Sequence, residues 1–531
     1  MALVFLVDTP HRVPSIRLIV FQRLEKNDLL ILAGLSVGLF LYHILTSAWS
    51  SYGYFIDELY YIACSKRLAF GYVDHPPLSI LMLAASRWIL GDSIPAIRFL
   101  SALGISATVF MTGILVRQLG GLGSAVVIAA LAVIAMPVYQ LMGSFYSMNA
   151  FEPLIWSTLV FLIIRIVQTE NMKYWLAVGL IMGIGLEMKH TIVLYGAALF
   201  AGILLTPSRR FLWNRWFLSG IAVAFLLMLP NLLWQWLHGF PSLEFYRNAM
   251  VNKNVPTLPA KVILDQILFA NPFALPLWIL GLGYFFFSND GKNFRFFGWT
   301  YLLLLAVMML SGSSRPDRIA AIYTVLFAAG AVAISSLPLS SFRKVAFVSM
   351  MILLIIGGAV SIPVFTPLLP SSMTRAYIST LGISFSLEQG KRDEPLPQWL
   401  ADRLGWRELA EDVAGVFNAL SPEEKQNAAI ISTNYGEAGA LELYAPRYGL
   451  PRVFATHNSY HIWGPPSDSV RTYIAVFVDR RDLAKMFDSI VEAKTHTCAE
   501  CTRQQGMIPI FVARGPHFSI TAEWPKFGIY N

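Results

Sequence analysis

The sequence predicts an α-helical polytopic membrane protein with about eleven transmembrane helices, followed by a soluble α/β domain at its C-terminal end. Of the 531 residues, 56% are hydrophobic and only 14% are charged, whereas soluble proteins have roughly 45–50% apolar and about 25% charged residues. Long apolar runs fill the chain up to about residue 367, and charges become frequent after it. A soluble enzyme, a disordered chain and a fibrous repeat are therefore excluded.

A transmembrane helix is expected wherever the chain stays apolar for about 20 residues, within a range of about 17–25. The two runs that flank Lys189 are short, so they form either two short helices or one re-entrant unit. A secretory signal is not expected, because Pro10, Pro14 and charges interrupt the first apolar stretch. The expected spans lie near 28–48, 96–116, 122–140, 148–167, 174–188, 190–206, 216–237, 262–287, 297–311, 319–338 and 345–366.

The distribution of Lys and Arg predicts the orientation of these spans, because basic residues concentrate in cytoplasmic loops. With the N-terminal segment in the cytoplasm, the loops on that side hold most of the basic residues of the short loops. An odd number of spans then places the C-terminal segment outside. The net charge of +8 accordingly indicates membrane topology, and a nucleic-acid partner is not expected.

The C-terminal part, 368–531, has the composition of a small α/β domain of ordinary size. It follows a transmembrane domain at 1–367. Cys498 and Cys501 form a CxxC, which fits a local disulfide, a redox pair or half of a zinc site. Short β-rich runs lie at 427–432, 452–455, 472–478 and 508–513, with helix-like stretches at 404–419 and 480–494.

The first outer loop, at about 49–95, contains the strongest candidates for chemistry. Asp57 and Glu58 follow the first span closely, so they lie near the outer membrane interface, where charged groups are costly and often functional. A carboxylate there can act as a general base that takes a proton from an acceptor hydroxyl. Alternatively, both acids cap the first turn of a juxtamembrane helix, where the helix dipole favours negative charge.

Basic side chains on the same side of the membrane suit a phosphate ligand. Lys66 and Arg67 also suit snorkelling from an interfacial helix. Arg315 and Arg318 lie in a very short outer loop, where pairing with Asp317 is the structural alternative. The full set of candidates is Lys66, Arg67, His75, Arg98, Lys189, His190, Arg315 and Arg318.

Two runs in the first outer loop resemble a known family. One reads Tyr-Phe-Ile-Asp-Glu-Leu-Tyr-Tyr from Tyr54, and the other reads Gly-Tyr-Val-Asp-His-Pro-Pro-Leu from Gly71. They are similar to the dolichyl-phosphate-mannose protein mannosyltransferases and, more closely, to their bacterial relatives, the glycosyltransferase family 39 proteins with the GT-C fold. The lipid A aminoarabinose transferases are more distant relatives. A further resemblance, to the outer domain of the same bacterial group, lies in the segments 434–440, 446–451 and 457–460.

The resemblance implies roles for individual residues. Asp57 corresponds to the family's catalytic base and Glu58 to a helper in the acceptor site. Lys189 corresponds to a family lysine near the outer end of a middle span, although His190 replaces the more usual aromatic residue after it. Arg315 takes the place of a lipid-phosphate lysine. The implied sites are catalytic Asp57 and Glu58; donor-phosphate-binding Lys189, His190, Arg315 and Arg318; and substrate-cavity Tyr54, Tyr61, Asp74, His75, Asn149 and Glu152.

The resemblance further implies an inverting glycosyltransferase of the cell envelope, in the bacterial inner membrane. Its donor would be a polyprenyl-phosphate sugar, and its acceptor a glycan, lipid or protein on the non-cytoplasmic side. No cofactor is expected to be required, because cations would neutralise the monophosphate leaving group without a metal. Four residues of the outer domain either contact an acceptor or serve only as turn and packing residues: Asn434, Glu437, Tyr448 and His457.

A lipid or sugar transporter with an outer binding domain is the alternative function. It predicts inverted repeats and interrupted helices, and the sequence shows no such repeat. A membrane scaffold without activity is a third hypothesis, which the polar first outer loop argues against.

Overall fold

The computed structural model describes residues 25–121, 123–312, 315–338, 340–383, 394 and 396–531. A bundle of apolar helices is followed by an α/β domain with one five-stranded sheet, as the sequence predicts. The basic segment expected before the first span, up to residue 24, lies outside the described residues.

Between residues 25 and 365, the part of the chain that the structure describes contains sixteen α-helices. Short 3₁₀ segments, such as Met148–Phe151 and Pro316–Ile322, extend several of them at the N-terminal end. The helices are α1 (Lys26–Trp49), α2 (Ile56–Ser65), α3 (Leu78–Leu90), α4 (Ile94–Gln118), α5 (Gly123–Ile134), α6 (Pro137–Gly143), α7 (Glu152–Thr169), α8 (Tyr174–Met188), α9 (Ile192–Leu204), α10 (Arg215–Leu237), α11 (Pro241–Asn248), α12 (Pro259–Phe269), α13 (Leu275–Phe287), α14 (Arg295–Leu310), α15 (Tyr323–Ser335) and α16 (Ser340–Phe365).

Seven of the described helices are long and apolar enough to cross a membrane, and the number rises to nine if each of two bent pairs is one span. The two further spans expected from the sequence correspond to α8 and α9, which have 15 and 13 residues. Extended backbone at Lys189 ends α8. The short pair flanking Lys189 is thus two helices, each below the roughly 20 residues that a straight crossing needs.

Both bent pairs break at a proline that lacks a backbone N–H. The α5–α6 pair bends by 65° before Pro137, and the α12–α13 pair bends by 93° at Pro272. The two breaks touch, because the Asn271 side chain donates to the backbone oxygen of Ala135 at 3.1 Å. Its Oδ1 accepts from the Phe273 N–H at 3.0 Å. The chain therefore satisfies backbone groups at these breaks with its own side chain, as a low-dielectric environment requires.

The first outer loop folds into α2 and α3. Nearly all side chains of α2 are buried, so this helix lies between the membrane bundle and the outer domain. Gly91 ends α3 with a φ of 81°, a left-handed conformation that glycine adopts without steric cost.

The described residues of the outer domain form five strands in the order β2-β1-β3-β5-β4, in which β1 pairs in parallel with β2 and β3, and β5 pairs antiparallel with β3 and β4. The predicted domain boundary at 367/368 falls between α16 and the next helix. The strands are β1 (Ala428–Ser432), β2 (Val453–Ala455), β3 (Thr472–Val476), β4 (Phe487–Thr497) and β5 (Met507–Pro516). The helices are α17 (Ser371–Leu381), α18 (Gln398–Ala401), α19 (Trp406–Asn418), α20 (Pro422–Gln426), α21 (Tyr435–Tyr448), α22 (Ser459–Ile462), α23 (Arg480–Ala484), α24 (Arg503–Gly506) and α25 (Ile520–Glu523).

One expected element of this domain is wrong. The helix predicted at 480–494 is instead the short α23 followed by β4. The β-branched residues Ile490, Val491 and Thr495 suit an extended strand, and pairing with β5 supplies the hydrogen bonds. Because β4 is an edge strand, most of its side chains are exposed, which obscures the alternation that marks a strand in a sequence.

The outer domain is fastened to the first outer loop through the backbone. The N–H of Gly53 donates to the Arg403 oxygen at 2.9 Å, and the N–H of Ile56 donates to the Asp402 oxygen at 3.1 Å. The buried Arg403 guanidinium also binds the backbone oxygen and the hydroxyl of Ser144, at 3.0 and 2.8 Å. These bonds fix the entry to α2 between the two domains.

The three cysteines divide into one pair and one free thiol. Cys498 and Cys501 form a disulfide bond, which selects the first of the three alternatives for the CxxC. Cys64 on α2 is free and buried.

Candidate active site

Asp57 and Glu58 occupy the first turn of α2, where unpaired N–H groups and the helix dipole favour carboxylates. The two side chains point in different directions, because successive residues of a helix are about 100° apart around its axis. Asp57 is partly exposed, whereas Glu58 is completely buried. The adjacent acids are therefore not equivalent.

Glu58 is held on every side. Its Oε2 accepts from the Phe55 N–H at 2.8 Å and from Arg98 Nη2 at 2.8 Å. Its Oε1 accepts from Arg98 Nε at 2.9 Å and from the Tyr146 N–H at 2.7 Å. Both Glu58 and Arg98 have no exposed side-chain surface. These contacts favour the capping alternative for Glu58 and place Arg98 in a buried ion pair with it.

Asp57 lies under the outer domain. The hydroxyl of Tyr435, at the start of α21, donates to Asp57 Oδ1 at 2.9 Å. Tyr61, one turn further along α2, interacts electrostatically with both Asp57 and Asp74. The predicted base thus faces a group of tyrosine hydroxyls and a second carboxylate.

Asp74 and His75 border the same space. The Tyr60 hydroxyl lies 2.9 Å from Asp74 Oδ1 and 2.7 Å from Ser459 Oγ. His75 is fully buried against the rings of Tyr60, Tyr61 and Tyr72. Its Nδ1 lies 3.0 Å from the Pro76 oxygen, and its Nε2 lies 3.8 Å from Asp74 Oδ1. His75 therefore packs as a buried support within this aromatic group, while Asp74 is partly exposed.

Tyr54 differs from the other predicted cavity residues. Its hydroxyl donates to the backbone oxygen of Asp92, just beyond the C-terminal end of α3. This contact joins the loop before α2 to the loop after α3. It gives Tyr54 a structural role at the loop edge.

A second group of predicted residues surrounds Lys189. Its Nζ donates to Glu152 Oε2 at 2.7 Å, and Thr191 Oγ1 donates to Glu152 Oε1 at 2.8 Å. Both charged side chains are largely buried. Asn149, in the 3₁₀ turn before Glu152, is partly exposed, and its Oδ1 has no hydrogen-bond partner among the described residues.

His190 links this group to the first outer loop. Its Nδ1 lies 2.9 Å from the Tyr246 hydroxyl, and its Nε2 lies 3.2 Å from Asn231 Oδ1. The Asn231 amide in turn donates to the Phe70 backbone oxygen at 2.9 Å. His190 is therefore within the predicted site, with both ring nitrogens beside polar groups of α10 and α11.

The two predicted arginines complete the cationic side. Arg315 donates to Asp317 at 3.1 and 3.4 Å, which is the ion pair expected as the structural alternative. Arg318 donates to Asn254 Oδ1 at 3.0 Å. Asp317 interacts electrostatically with Lys189 as well as with both arginines. Tyr246, on α11, interacts with Asp74, Glu152 and Arg318. These interactions bring the cations and the acidic loop to one region.

Lys66 and Arg67, which were expected to bind phosphate or to snorkel from an interfacial helix, instead form ion pairs with the outer domain. They pair with Glu442 of α21 at 3.5 and 3.0 Å. The Arg67 guanidinium also lies 4.4 Å from the centre of the Trp463 ring, a favourable cation–π distance. Both residues therefore join the first outer loop to the outer domain.

The candidates in the outer domain have different surroundings. Asn434 caps α21 by accepting from the Gly436 N–H at 2.8 Å, and the Tyr448 hydroxyl donates to Glu411 at 2.8 Å. Glu437 is buried. His457 packs against the ring of Tyr435 with ring centres 4.8 Å apart, so it belongs to the surroundings of Asp57.

Sequence reasoning missed Tyr435, Tyr246 and Thr191. Tyr435 lies within the Asn-Tyr-Gly run that resembles the outer domain of the bacterial group, so that run was the available signal. Tyr246 had no comparable signal, because nothing in the sequence relates α11 to the first outer loop. Within the described ranges, no group of three or more His, Cys, Asp and Glu side chains is placed to hold a metal ion.

The arrangement suits chemistry between a hydroxyl and a phosphate-linked group. The partly exposed Asp57 carboxylate, in the first outer loop, can accept a proton. The second group of site residues supplies Lys189, Arg315 and Arg318, which can stabilise a developing phosphate charge. Glu152 and Asp317 partly neutralise these cations and hold them in place.

Comparison with known proteins identifies relatives of this fold. Residues 74–234 match the family described as dolichyl-phosphate-mannose-protein mannosyltransferase. This stretch contains Asp74, Glu152 and Lys189. The structure is similar to ArnT from Cupriavidus metallidurans in the apo state, with a TM-score of 0.55 and 14% identity over 91% of this chain and 97% of that chain. Its similarity to the same protein bound to undecaprenyl phosphate has a TM-score of 0.56 and 15% identity over the same shares of the chains.

No curated protein sequence matches this chain significantly. The family match and the structural similarities nevertheless agree with each other. The resemblance to the GT-C glycosyltransferases that was predicted from the sequence is therefore confirmed.

Proposed function

We propose that this chain, an integral membrane protein with the GT-C glycosyltransferase fold, transfers a sugar from a polyprenyl-phosphate donor to an acceptor on the non-cytoplasmic side. The observation that carries the proposal is the common location of the partly exposed Asp57 and of the partly buried cations Lys189, Arg315 and Arg318. The bound undecaprenyl phosphate in the related ArnT structure supports a lipid-phosphate donor.

The proposed reaction is a single displacement. Asp57 takes the proton of the acceptor hydroxyl while its oxygen attacks the anomeric carbon. The bond between that carbon and the phosphate oxygen breaks, and both electrons leave with the lipid phosphate. The transition state has oxocarbenium character, and one displacement inverts the anomeric centre.

Lys189, Arg315 and Arg318 would stabilise the charge that grows on the leaving phosphate. Glu152 and Asp317 offset two of these three positive charges before the donor binds, which lowers the cost of holding several cations close together. Glu58 has no part in the proton transfer in this proposal, because all of its described contacts hold the start of α2. A metal ion is not needed in this scheme, so we expect activity to persist in excess EDTA.

The orientation is also part of the proposal. The N-terminus would be cytoplasmic and the α/β domain outside, in a bacterial inner membrane. The disulfide between Cys498 and Cys501 supports this placement, because structural disulfides persist in oxidising compartments. Intact-cell labelling of single cysteines placed in the exposed part of α19 would test it, and labelling only after the membrane is opened would refute it.

The alternative function, a transporter, gains one observation from the two broken helix pairs. Interrupted helices in transporters expose backbone groups to a substrate. Here the Asn271 side chain occupies these groups and joins the two breaks. The Ala135 oxygen and the Phe273 N–H are therefore bound by the chain's own side chain and not offered to a substrate, and we favour transfer chemistry.

The test compares the parental protein with Asp57→Asn. Purified protein is incubated with a panel of labelled polyprenyl-phosphate sugars and a membrane extract, and products are identified by mass spectrometry. We expect Asp57→Asn to lose at least about 100-fold in transfer rate, consistent with general-base catalysis, without a large change in stability. Asp92→Asn, an exposed acid of the same loop, is the matched control and should keep the parental rate. A parental rate for Asp57→Asn would refute the base assignment.

Lys189→Met tests the phosphate side separately. It removes the ammonium and keeps a side chain of similar length. We expect weaker donor binding together with slower transfer, because the cation acts on both the bound and the departing phosphate. An unchanged dependence of the rate on donor concentration would contradict this role.

A further inference from the structure

We infer that Tyr435 of the outer domain is a positioning residue for Asp57, so that the membrane domain and the outer domain form one active site. The inference rests on the proposed function of Asp57 as the base. Its central observation is the hydrogen bond of 2.9 Å from the Tyr435 hydroxyl to Asp57 Oδ1. The two residues are 378 positions apart in the chain.

The helix that carries Tyr435 approaches α2 unusually closely. A Cβ added at Gly436 would lie 2.4 Å from the Ile56 side chain, and one added at Gly439 would lie 2.9 Å from the Leu59 carbonyl carbon. At Gly439 the obstacle is backbone, so a larger residue would shift the helices, whereas at Gly436 the Ile56 side chain would have to move. The glycine face of α21 thus lets Tyr435 reach the first turn of α2.

Tyr435 is supported from behind. Its ring lies 4.9 Å from the Tyr60 ring and 4.8 Å from the His457 ring, measured between centres. Its backbone N–H donates to His457 Nδ1 at 3.4 Å. Only 8% of Tyr435 is exposed. The hydroxyl is therefore held at a fixed position by packing, which a positioning residue requires.

The surroundings of His457 extend this support. Because Nδ1 accepts a hydrogen bond, Nε2 carries the proton and can donate to Asn531, whose backbone oxygen lies at 3.2 Å and whose Oδ1 lies at 3.0 Å. His457 and Ile529 form an isolated β-bridge, and the Ile529 backbone oxygen accepts from the Asn458 N–H at 2.8 Å. The segment 529–531 thus closes the network behind Tyr435.

The hydrogen bond restricts how the Asp57 carboxylate can turn. A carboxylate in water rotates freely, whereas one that accepts a charge-assisted bond at Oδ1 keeps one orientation. A base must lie within hydrogen-bond reach of the proton that it removes, and misplacement by about 1 Å can cost roughly 100-fold in rate. Tyr435 would therefore contribute to the rate without touching the sugar or the phosphate.

The experiment compares Tyr435→Phe with the parental chain. The substitution keeps the ring that packs on Tyr60 and His457 and removes only the hydroxyl. We expect kcat to fall by about 10- to 100-fold, with the KM for the lipid-phosphate donor and the unfolding midpoint unchanged. Tyr448→Phe, at the other end of the same helix, removes a hydroxyl that binds the exposed Glu411 and should keep the parental kcat.

A double variant separates positioning from an independent role. If Tyr435 acts through Asp57, then Tyr435→Phe should not slow Asp57→Asn any further. A parental kcat for Tyr435→Phe, or a further loss in the Asp57→Asn background, would overturn the inference. Absence of sugar transfer by the parental chain would instead contradict the proposed function, so the two failures are distinguishable.

Discussion

The buried ion pair between Glu58 and Arg98 makes a sharp prediction for Glu58→Gln. The carboxylate accepts four hydrogen bonds, at 2.7 to 2.9 Å, from two backbone N–H groups and two guanidinium nitrogens. Glutamine offers one acceptor oxygen, and its NH₂ group must face donors on the other side. The substitution also leaves the Arg98 charge buried without its partner.

Removing one partner of a buried pair costs about 3–5 kcal/mol, so the free energy of unfolding should fall by that amount. Cys64 is the chain's one free thiol and is buried, so a thiol-reactive fluorophore reports unfolding directly. Asp57→Asn, in the same helical turn, is the comparison and should change the free energy by less than about 1 kcal/mol. A Glu58→Gln protein within about 1 kcal/mol of the parent would refute the reasoning. If the Glu58→Gln protein had the parental stability but no transfer activity, Glu58 would have to be assigned a catalytic role.

Two further outcomes concern the outer domain. Gly439→Ala should push α21 away from α2 and reduce the rate of transfer. The control is Gly415→Ala on α19, where an added Cβ has no atom within 4 Å; it should keep the transfer rate and raise the free energy of unfolding by about 1 kcal/mol. Equal transfer rates for the two variants would contradict the close packing of α21 on α2. The pKa of the Asp412 carboxyl is lowered, since burial raises it but hydrogen bonds from Lys494 and His496 outweigh that effect. A lowered pKa stabilises the fold above the ordinary value of 3.8 and loses that contribution as the pH falls through the folded-state value. Asp412→Asn should therefore weaken the pH dependence of unfolding in acid, and superimposable curves would exclude this contribution.

The sequence predicts the membrane class and much of the helix order because apolar length is a direct physical requirement of the bilayer. It predicts β1, β2, β3 and β5 of the outer domain for a similar reason, since their apolar runs are short and mostly buried. It fails at β4, where exposure removes the apolar pattern. The break at Pro272 within the span expected at 262–287 was also missed, although proline is its physical cause.

The candidate site shows the same limit. Asp57 and Glu58 look alike in the sequence, and only the helix geometry of α2 turns one toward Tyr435 and the other toward Arg98. Lys189 and Glu152 were both selected, but their contact depends on how α7 and α8 pack. Tyr435 lies in a run that resembles the family's outer domain, but it was not selected, because no local pattern relates that run to a carboxylate 378 positions earlier.

The hydrogen bond between Tyr435 and Asp57 also has a consequence for biosynthesis. At a translation rate of about 5–20 residues per second, roughly 20–75 s pass between the synthesis of the two residues. During that interval the early helices can already be inserted, while the carboxylate lacks its tyrosine partner. A nascent chain would therefore reach its membrane location well before it could act on the lipid carriers around it.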